Sequence, residues 1–372
     1  MKKIMEQPRH CAAFAAAALS LALSIAVFPS TAHAQDGDDA TPAAGEDIEI
    51  PLNNFKTPLT LKDEGTFFLN GERFKAKYPA VVEPIVPGRV IRNQMYVHYQ
   101  VPMNAKKLPV VMIHGGGLTG SVWEHTPDGR EGWSSYFVRK GYTVYNVDIP
   151  GRGRSGFNPE ILNEAKVKGD IDLFPGIARG TLNASWVNWR FGPEFGKKFP
   201  GIKFPTKNLD DLGEMIVPSA EVTVGGALIE ATNGVVKLLD KIGPAILLVH
   251  SQSGPTADAI VGERPKLVKA VVNIEGSQNV VPTDDMIKGY KNVPDLELFG
   301  DNVQGNPAST GQPRFDARTI VANRINAAGG KAQVVELPSV GLRGNTHMVM
   351  HDTNSLKVAD YILGWLEENT AE

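Results

Sequence analysis

Short runs of apolar, β-branched residues recur along this chain, and each is followed by a stretch long enough to form a helix. The clearest runs are Leu108–Ile113, Tyr142–Ile149, Ala245–His250, Val268–Ile274, Leu296–Phe299 and Gln333–Leu337. Helical patterning marks Trp133–Arg139, Gly225–Lys241, a segment opening at Pro255–Val261, Phe315–Ala328 and Ser355–Glu368. A strand that is apolar throughout must be covered on both faces, and parallel pairing needs a crossover segment. The alternation therefore predicts the α/β class, with a mainly parallel sheet covered by helices on both faces. Two earlier strands are expected at Thr66–Phe74 and Gln94–Val101, the second alternating in period two.

Residues 157–219 break this rhythm. They are rich in Gly, Pro and Lys, carry Trp186, Trp189 and Phe191, and contain no clean strand. This stretch is expected to be a lid or cap inserted between sheet elements. The competing reading is a surface excursion whose aromatic residues pack onto the core.

The N-terminus carries Lys2, Lys3 and Arg9, then the apolar stretch Cys11–Phe28, then Ala32-His33-Ala34 before Gln35. This is the layout of a secretory signal peptide spanning 1–34, cleaved after Ala34. An uncleaved membrane anchor is the rival, disfavoured by the small-residue site. The single cysteine of the chain, Cys11, falls in this leader. The mature protein would then hold no disulfide and no cysteine-based zinc site. Residues 35–49 read as a flexible acidic tail. Its Asp36, Asp38 and Asp39 lack the spacing of a calcium loop. Residues 50–372 read as one α/β domain, periplasmic or secreted, with no further segment able to span a membrane. The net charge of −3, with no basic run, argues against a nucleic-acid partner.

The most informative segment is Leu247-Leu248-Val249-His250-Ser251-Gln252-Ser253-Gly254. A buried strand here runs through a few polar residues directly into a helix. A serine at such a junction sits on a sharp turn, with its hydroxyl above the sheet near a helix N-terminus. Ser251 is the candidate nucleophile, although Val249 and Ser253 stand where glycines are usual. Ser253 is the local rival, and a plain helix-capping serine is the alternative role.

A tetrahedral intermediate needs backbone N–H groups aimed at its oxyanion. Gln252, following the nucleophile, can supply one. His114-Gly115-Gly116-Gly117 follows a strand and can supply the second, from Gly116 or Gly117. His114 is expected to shape that loop. With a serine on a strand-to-helix turn the chain order is serine, acid, histidine. His347, in the loop Gly344-Asn345-Thr346-His347 after the last strand, is the candidate base, with His351 as its rival. Two carboxylates compete to orient it. Glu275 follows Val268–Ile274, and Asp301 follows Leu296–Phe299. Pattern alone favours Asp301 narrowly.

Gly151-Arg152-Gly153-Arg154-Ser155-Gly156 matches a dinucleotide fingerprint. Pro150 breaks the strand before it, and no convincing helix follows, so nucleotide binding is not expected. No Walker loop and no His-Glu-x-x-His is present.

Taken together, these segments resemble the α/β-hydrolase superfamily. More narrowly they resemble a small group of exported bacterial serine esterases with an H-S-Q-S-G nucleophile turn. The matching segments are His114-Gly115 with Leu118-Thr119-Gly120, Thr126-Pro127-Asp128-Gly129-Arg130, Gly151-Arg152-Gly153-Arg154-Ser155, His250 to Gly254 and Thr346-His347-Met348. In that group the acid is a glutamate on the strand after the nucleophile helix. The resemblance thus implies Glu275 and reverses the choice of Asp301. It also implies Ser251 and His347, with Gly116 and Gln252 as oxyanion donors. This sequence departs from the group with glycines at 116 and 117. The implied activity is hydrolysis of a small-molecule carboxylic ester through an acyl-enzyme, a chemistry needing no cofactor and no metal. Lactonase, amidase or perhydrolase action would use the same residues. A non-catalytic binding protein on this scaffold is the reading from another class. Leu118, Trp186 and Trp189 are candidate substrate contacts, and the aromatic insert hints at an apolar substrate.

Overall fold

The runs that read as buried strands pair side by side in the computed structural model, which describes residues 57–82, 84–106, 108–219, 226–277, 279–306 and 308–370. The expected leader 1–34 and the expected acidic tail 35–49 lie outside the described residues. The strands are β1 (Leu61–Leu69), β2 (Glu72–Ala76), β3 (Gly88–Arg92), β4 (Met95–Pro102), β5 (Val110–Ile113), β6 (Val144–Asp148), β7 (Ala245–His250), β8 (Val268–Ile274), β9 (Asp295–Phe299) and β10 (Ala332–Glu336). Eight of them form one sheet in the order β1-β4-β6-β5-β7-β8-β9-β10. The β1–β4 and β4–β6 pairs are antiparallel. From β6 to β10 every pair is parallel.

Side chains alternate across this sheet and feed two separate cores. Ile246 and Leu248 of β7 pack with Trp133, Phe137 and Ile362 on one face. Leu247 and Val249 pack with Val235, Leu239, Ile260 and Ile325 on the other. All four β7 residues are fully buried, so each contributes about 1.5–3 kcal/mol of hydrophobic stabilisation. A strand apolar throughout is therefore the expected consequence of helices on both faces. Trp133–Arg139 and Ser355–Asn369 cover the first face. Ala227–Ile242, Gly254–Glu263 and Gly311–Ala327 cover the second.

One expected strand is really two. Thr66–Phe74 is divided between β1 and β2, because Asn70 takes a φ of 63° just before Gly71. Asparagine and glycine tolerate this left-handed turn, and apolar residues continue on both sides of it. After the turn, β2 leaves the main sheet and pairs with β3 as a separate two-stranded ribbon.

Residues 157–219 lie between β6 and β7 and hold the short helices Glu160–Lys168, Leu182–Asn188 and Leu209–Met215. An antiparallel bridge between Ala178 and Ser219 ties two distant points of the stretch together. Phe191 and Phe204 stack at 3.9 Å between ring centroids and are buried in the first core. Because β5 lies between β6 and β7, successive connections leave it in opposite directions. Ligands bind in the crevice that such a reversal opens at the C-terminal strand ends.

Candidate active site

β7 delivers its last residue, His250, to that crevice, and the chain must then enter the helix Gly254–Glu263 within a single turn of 3-10 helix, Ser251–Ser253. Ser251 bears the strain, with a φ of 52°. A left-handed backbone is costly for any residue with a Cβ and persists only where its surroundings enforce it. Here a close approach enforces it. A Cβ placed on Gly115 would lie 2.6 Å from His250 Nδ1 and 3.0 Å from Ser251 Cβ, so the loop after β5 presses its bare backbone against the serine. Ser253 donates its hydroxyl to the His114 carbonyl (2.6 Å), which ties the two loops together and occupies the rival nucleophile.

The structure brings Ser251, His347 and Glu275 together. Ser251 Oγ lies 3.1 Å from His347 Nε2. His347 Nδ1 lies 3.2 Å from Glu275 Oε2. Glu275 stands just beyond β8 with its own left-handed φ of 54°. Its Oε1 accepts the Gly300 N–H (2.6 Å) and a guanidinium N–H from Arg190. Burial alone would raise this carboxyl, but the Arg190 charge and the contact with His347 hold it well below the usual carboxylate range. An ionised carboxylate only accepts, so Nδ1 of His347 carries the proton and Nε2 presents a lone pair to Ser251.

Asp301, the narrow favourite of pattern alone, has a different task. Its carboxylate accepts the Asn345 N–H (2.8 Å), and its own N–H donates to the Asn345 carbonyl (2.7 Å). It braces the base of the His347 loop, and among the described residues it makes no hydrogen bond to His347. His351 is buried and paired through Nε2 with the Val122 carbonyl at 3.1 Å. His250 donates through Nε2 to the His347 carbonyl (3.1 Å), which helps seat the loop.

The oxyanion candidates face one another. A Cβ on Gly116 would come within 2.9 Å of Gln252 Oε1. Gln252 opens the helical turn, where a backbone N–H has no acceptor within the helix. Gly117, at a φ of 69°, gives its carbonyl to the Val217 N–H of the insert (2.8 Å). His114 is buried and neutral, pushed down to about 4 by burial and the nearby Arg152, and its Nε2 accepts the Ile149 N–H. It shapes the loop, as expected.

Of the expected substrate contacts, only Trp189 lies beside these groups. Its ring stacks on His347 at 6.3 Å, and its carbonyl accepts the His347 N–H (3.0 Å). Leu118 and Trp186 are turned inward. Leu118 is 1% exposed and Trp186 4%, with the Trp186 Nε1 donating to the Lys197 carbonyl. Their apolar area is used in the core, so the hint of an apolar substrate has no support from them.

Three arginines were not singled out by sequence reasoning. Arg190, in the insert, braces Glu275 and donates through Nε to the Asp301 carbonyl at 2.9 Å. Arg152, from the glycine-rich run that mimics a nucleotide fingerprint, reaches the Leu118 carbonyl at 3.1 Å and the Gly115 carbonyl at 3.4 Å. Arg314 places Nη1 3.1 Å from Ser251 Oγ and 3.0 Å from His347 Nε2. A signal for it exists. Arg314 and Arg318 stand four residues apart and, with Val321 and Ile325, lie along one stripe of their helix. Burial, and then the Arg314 charge, push His347 down to about 3. Among the described residues, no three His, Cys, Asp or Glu side chains cluster to hold a metal ion.

A mainly parallel sheet with a strained serine at a strand-to-helix turn, facing a histidine in the loop after the last parallel strand, defines the α/β-hydrolase class. Comparison with known proteins agrees. A solved structure described as a novel bacterial esterase is 37% identical, with a TM-score of 0.80, covering 85% of this chain and 98% of its own. A probable secreted lipase, phiG, of Fungal sp. (strain ATCC 74256) is 28% identical over 329 residues, or 76% of this chain and 88% of that protein. No family model matches the chain. The chain belongs to the α/β-hydrolase superfamily. Within it, it is a serine hydrolase of the esterase and lipase kind, acting on ester bonds.

Proposed function

We propose that the protein is a carboxylesterase working through a Ser251–His347–Glu275 triad and an acyl-enzyme. The observation that carries this reading is the unbroken relay from Ser251 Oγ through His347 to Glu275 Oε2, with contacts of 3.1 and 3.2 Å. Ser251 Oγ attacks the ester carbonyl while His347 Nε2 takes its proton. The N–H groups of Gly116 and Gln252 receive the oxyanion. Collapse of the intermediate expels the alcohol, which takes the proton back from His347. Water then attacks the acyl-enzyme by the same relay in reverse, releasing the acid and restoring Ser251. Glu275 remains ionised throughout and stabilises the imidazolium.

Residues 157–219 act in this reading as a cap, supported by Trp189 and Arg190 standing beside His347 and Glu275. Export with removal of 1–34 is supported by the leader layout and by the relative described as secreted. The test is hydrolysis of p-nitrophenyl acetate by the mature chain, with fluorophosphonate labelling mapped by mass spectrometry. Turnover and labelling at Ser251, both lost in Ser251→Ala, are expected. Labelling elsewhere, or turnover surviving Ser251→Ala, overturns the triad.

A further inference from the structure

Arg314 stands where the charge count of the site does not close. Two guanidinium groups, Arg190 and Arg314, act on His347, and the carboxylate bonded to its ring is that of Glu275. Both oxygens of that carboxylate are taken, Oε1 by Arg190 and Gly300, and Oε2 by His347. Among the described residues no carboxylate lies within ion-pair distance of Arg314. Its Nη1 rests instead on neutral groups, the serine hydroxyl and the imidazole. Nη1 is 3.3 Å from His347 Nδ1 and 3.0 Å from Nε2. An atom so placed in the ring plane would collide with ring carbons, so Nη1 lies over the ring face. No hydrogen bond from its Nε or Nη2 is formed among the described residues. A sheltered cation without a counter-ion is costly, and Arg314 is lowered to about 10 by its burial.

The fork of an arginine matches a carboxylate, with N–O contacts of about 2.7–2.9 Å. An anion paired with Arg314 through Nη1 would thus lie within about 6 Å of Ser251 Oγ, the sum of that contact and the Nη1–Oγ distance. The attacked carbonyl carbon sits next to Oγ. The anion and the scissile ester must then be joined by a short spacer of a few bonds.

We propose that Arg314 is the specificity residue of the site and that the substrate is an ester bearing a carboxylate a few bonds from the scissile carbonyl. The half-ester of a short dicarboxylic acid and the ester of a short hydroxy acid both meet this description. The inference rests on the esterase reading above and names its substrate class. Pairing with the substrate carboxylate also draws the Arg314 charge off the His347 ring, so the base is freed when the fitting substrate is bound.

The test compares anionic and neutral esters by pH-stat titration. Monomethyl succinate carries the carboxylate on the acyl side and acetoxyacetate carries it on the alcohol side. Dimethyl succinate and ethyl acetate are their neutral counterparts. Wild type is expected to favour at least one anionic ester over its neutral counterpart by about tenfold or more in kcat/KM. Arg314→Met should collapse that ratio by about 10–100-fold, the loss of a charge-assisted contact. Arg314→Lys should retain part of it. A second readout needs no turnover: succinate should raise the Tm of wild type and not that of Arg314→Met. Equal loss on anionic and neutral esters in Arg314→Met overturns the proposal. So does a wild type that prefers both neutral esters. In either case Ser251-dependent hydrolysis of p-nitrophenyl acetate reports separately on the esterase reading.

Discussion

Replacing Glu275 with glutamine separates the two acids that compete in the sequence, and the structure gives the mechanism of the expected loss. Oε1 of Glu275 receives two donors, the Gly300 N–H and an Arg190 N–H. An amide NH₂ cannot accept either, so in Glu275→Gln the amide carbonyl oxygen must take the Oε1 position. The NH₂ then faces His347 Nδ1 at the place where Oε2 now lies, 3.2 Å away. A donor there forces the imidazole proton onto Nε2, and that tautomer cannot accept the Ser251 proton. The wrong tautomer costs about 10⁴-fold in kcat, or about 5.5 kcal/mol of barrier. Arg190 also loses its buried counter-ion, so a lower Tm is expected, and kcat should be measured well below it. Asp301→Asn keeps a carbonyl oxygen for the Asn345 N–H and should lose less than about tenfold. The assay is initial-rate hydrolysis of p-nitrophenyl acetate, with circular dichroism to confirm folding. A folded Glu275→Gln variant that keeps more than about a tenth of wild-type kcat refutes the tautomer reasoning. A fall in Asp301→Asn as deep as in Glu275→Gln refutes the choice of acid.

With His347 held down to about 3, the base stays unprotonated far into the acid range. The acid limb of kcat/KM should therefore lie well below the usual histidine value of about 6.5, and Arg314→Met should move it upward; a wild-type limb at the usual value contradicts this. Gly115→Ala should cut kcat by about 10²-fold, because its Cβ meets His250 Nδ1 at 2.6 Å and Ser251 Cβ at 3.0 Å. The atoms nearest a Cβ on Gly116 all belong to the Gln252 side chain, so Gly116→Ala should lose less, and equal losses would contradict this difference in contacts. At the start of β9, Asp295 is buried beside Glu297 with no N–H donor on either carboxylate oxygen, and burial plus the Glu297 charge raise it well above its ordinary value. The folded protein then binds a proton that the unfolded chain releases above about pH 4, so this group's contribution to stability falls as pH rises from there. Asp295→Asn removes that dependence. Its Tm should gain on wild type with increasing pH, and parallel Tm curves would refute the assignment.

The fold and the strand-to-helix turn that carries the candidate nucleophile are legible in the sequence because both are local. β7 and β8 coincide with the apolar runs Ala245–His250 and Val268–Ile274, since a strand buried on both faces leaves no ambiguity of period. Ser251 is legible because the strand-to-helix turn is contiguous in sequence. The acid is not legible by pattern. Glu275 and Asp301 follow neighbouring parallel strands, β8 and β9, and nothing local says which reaches His347. What sets Glu275 apart is its left-handed φ, its contact with His347 and a contact from Arg190, which stands 85 positions away in the insert. The turn at Asn70-Gly71 escapes the pattern although its residues are turn-formers, because apolar residues flank it closely on both sides.

The segments that carry the family resemblance explain themselves once their contacts are known. Arg130 donates to the His351 carbonyl at 2.7 Å and the Asp352 carbonyl at 3.1 Å, and Asp352 in turn accepts the Thr346 N–H at 2.7 Å. The Thr126–Arg130 segment thus fixes the loop that presents His347. Asp148 accepts the N–H groups of Gly120 and Arg154, and Arg152 holds the carbonyls of Gly115 and Leu118. The glycine-rich run that imitates a nucleotide fingerprint therefore fixes the Gly115–Gly120 loop, where the proposed oxyanion donor Gly116 lies. A serine and a histidine from loops 96 residues apart can hold a 3.1 Å contact only if both loops are rigid. These two clamps provide that rigidity. Arg314 is bound by neither clamp, and its Nη1 rests on the two side chains that the clamped loops bring together, Ser251 and His347.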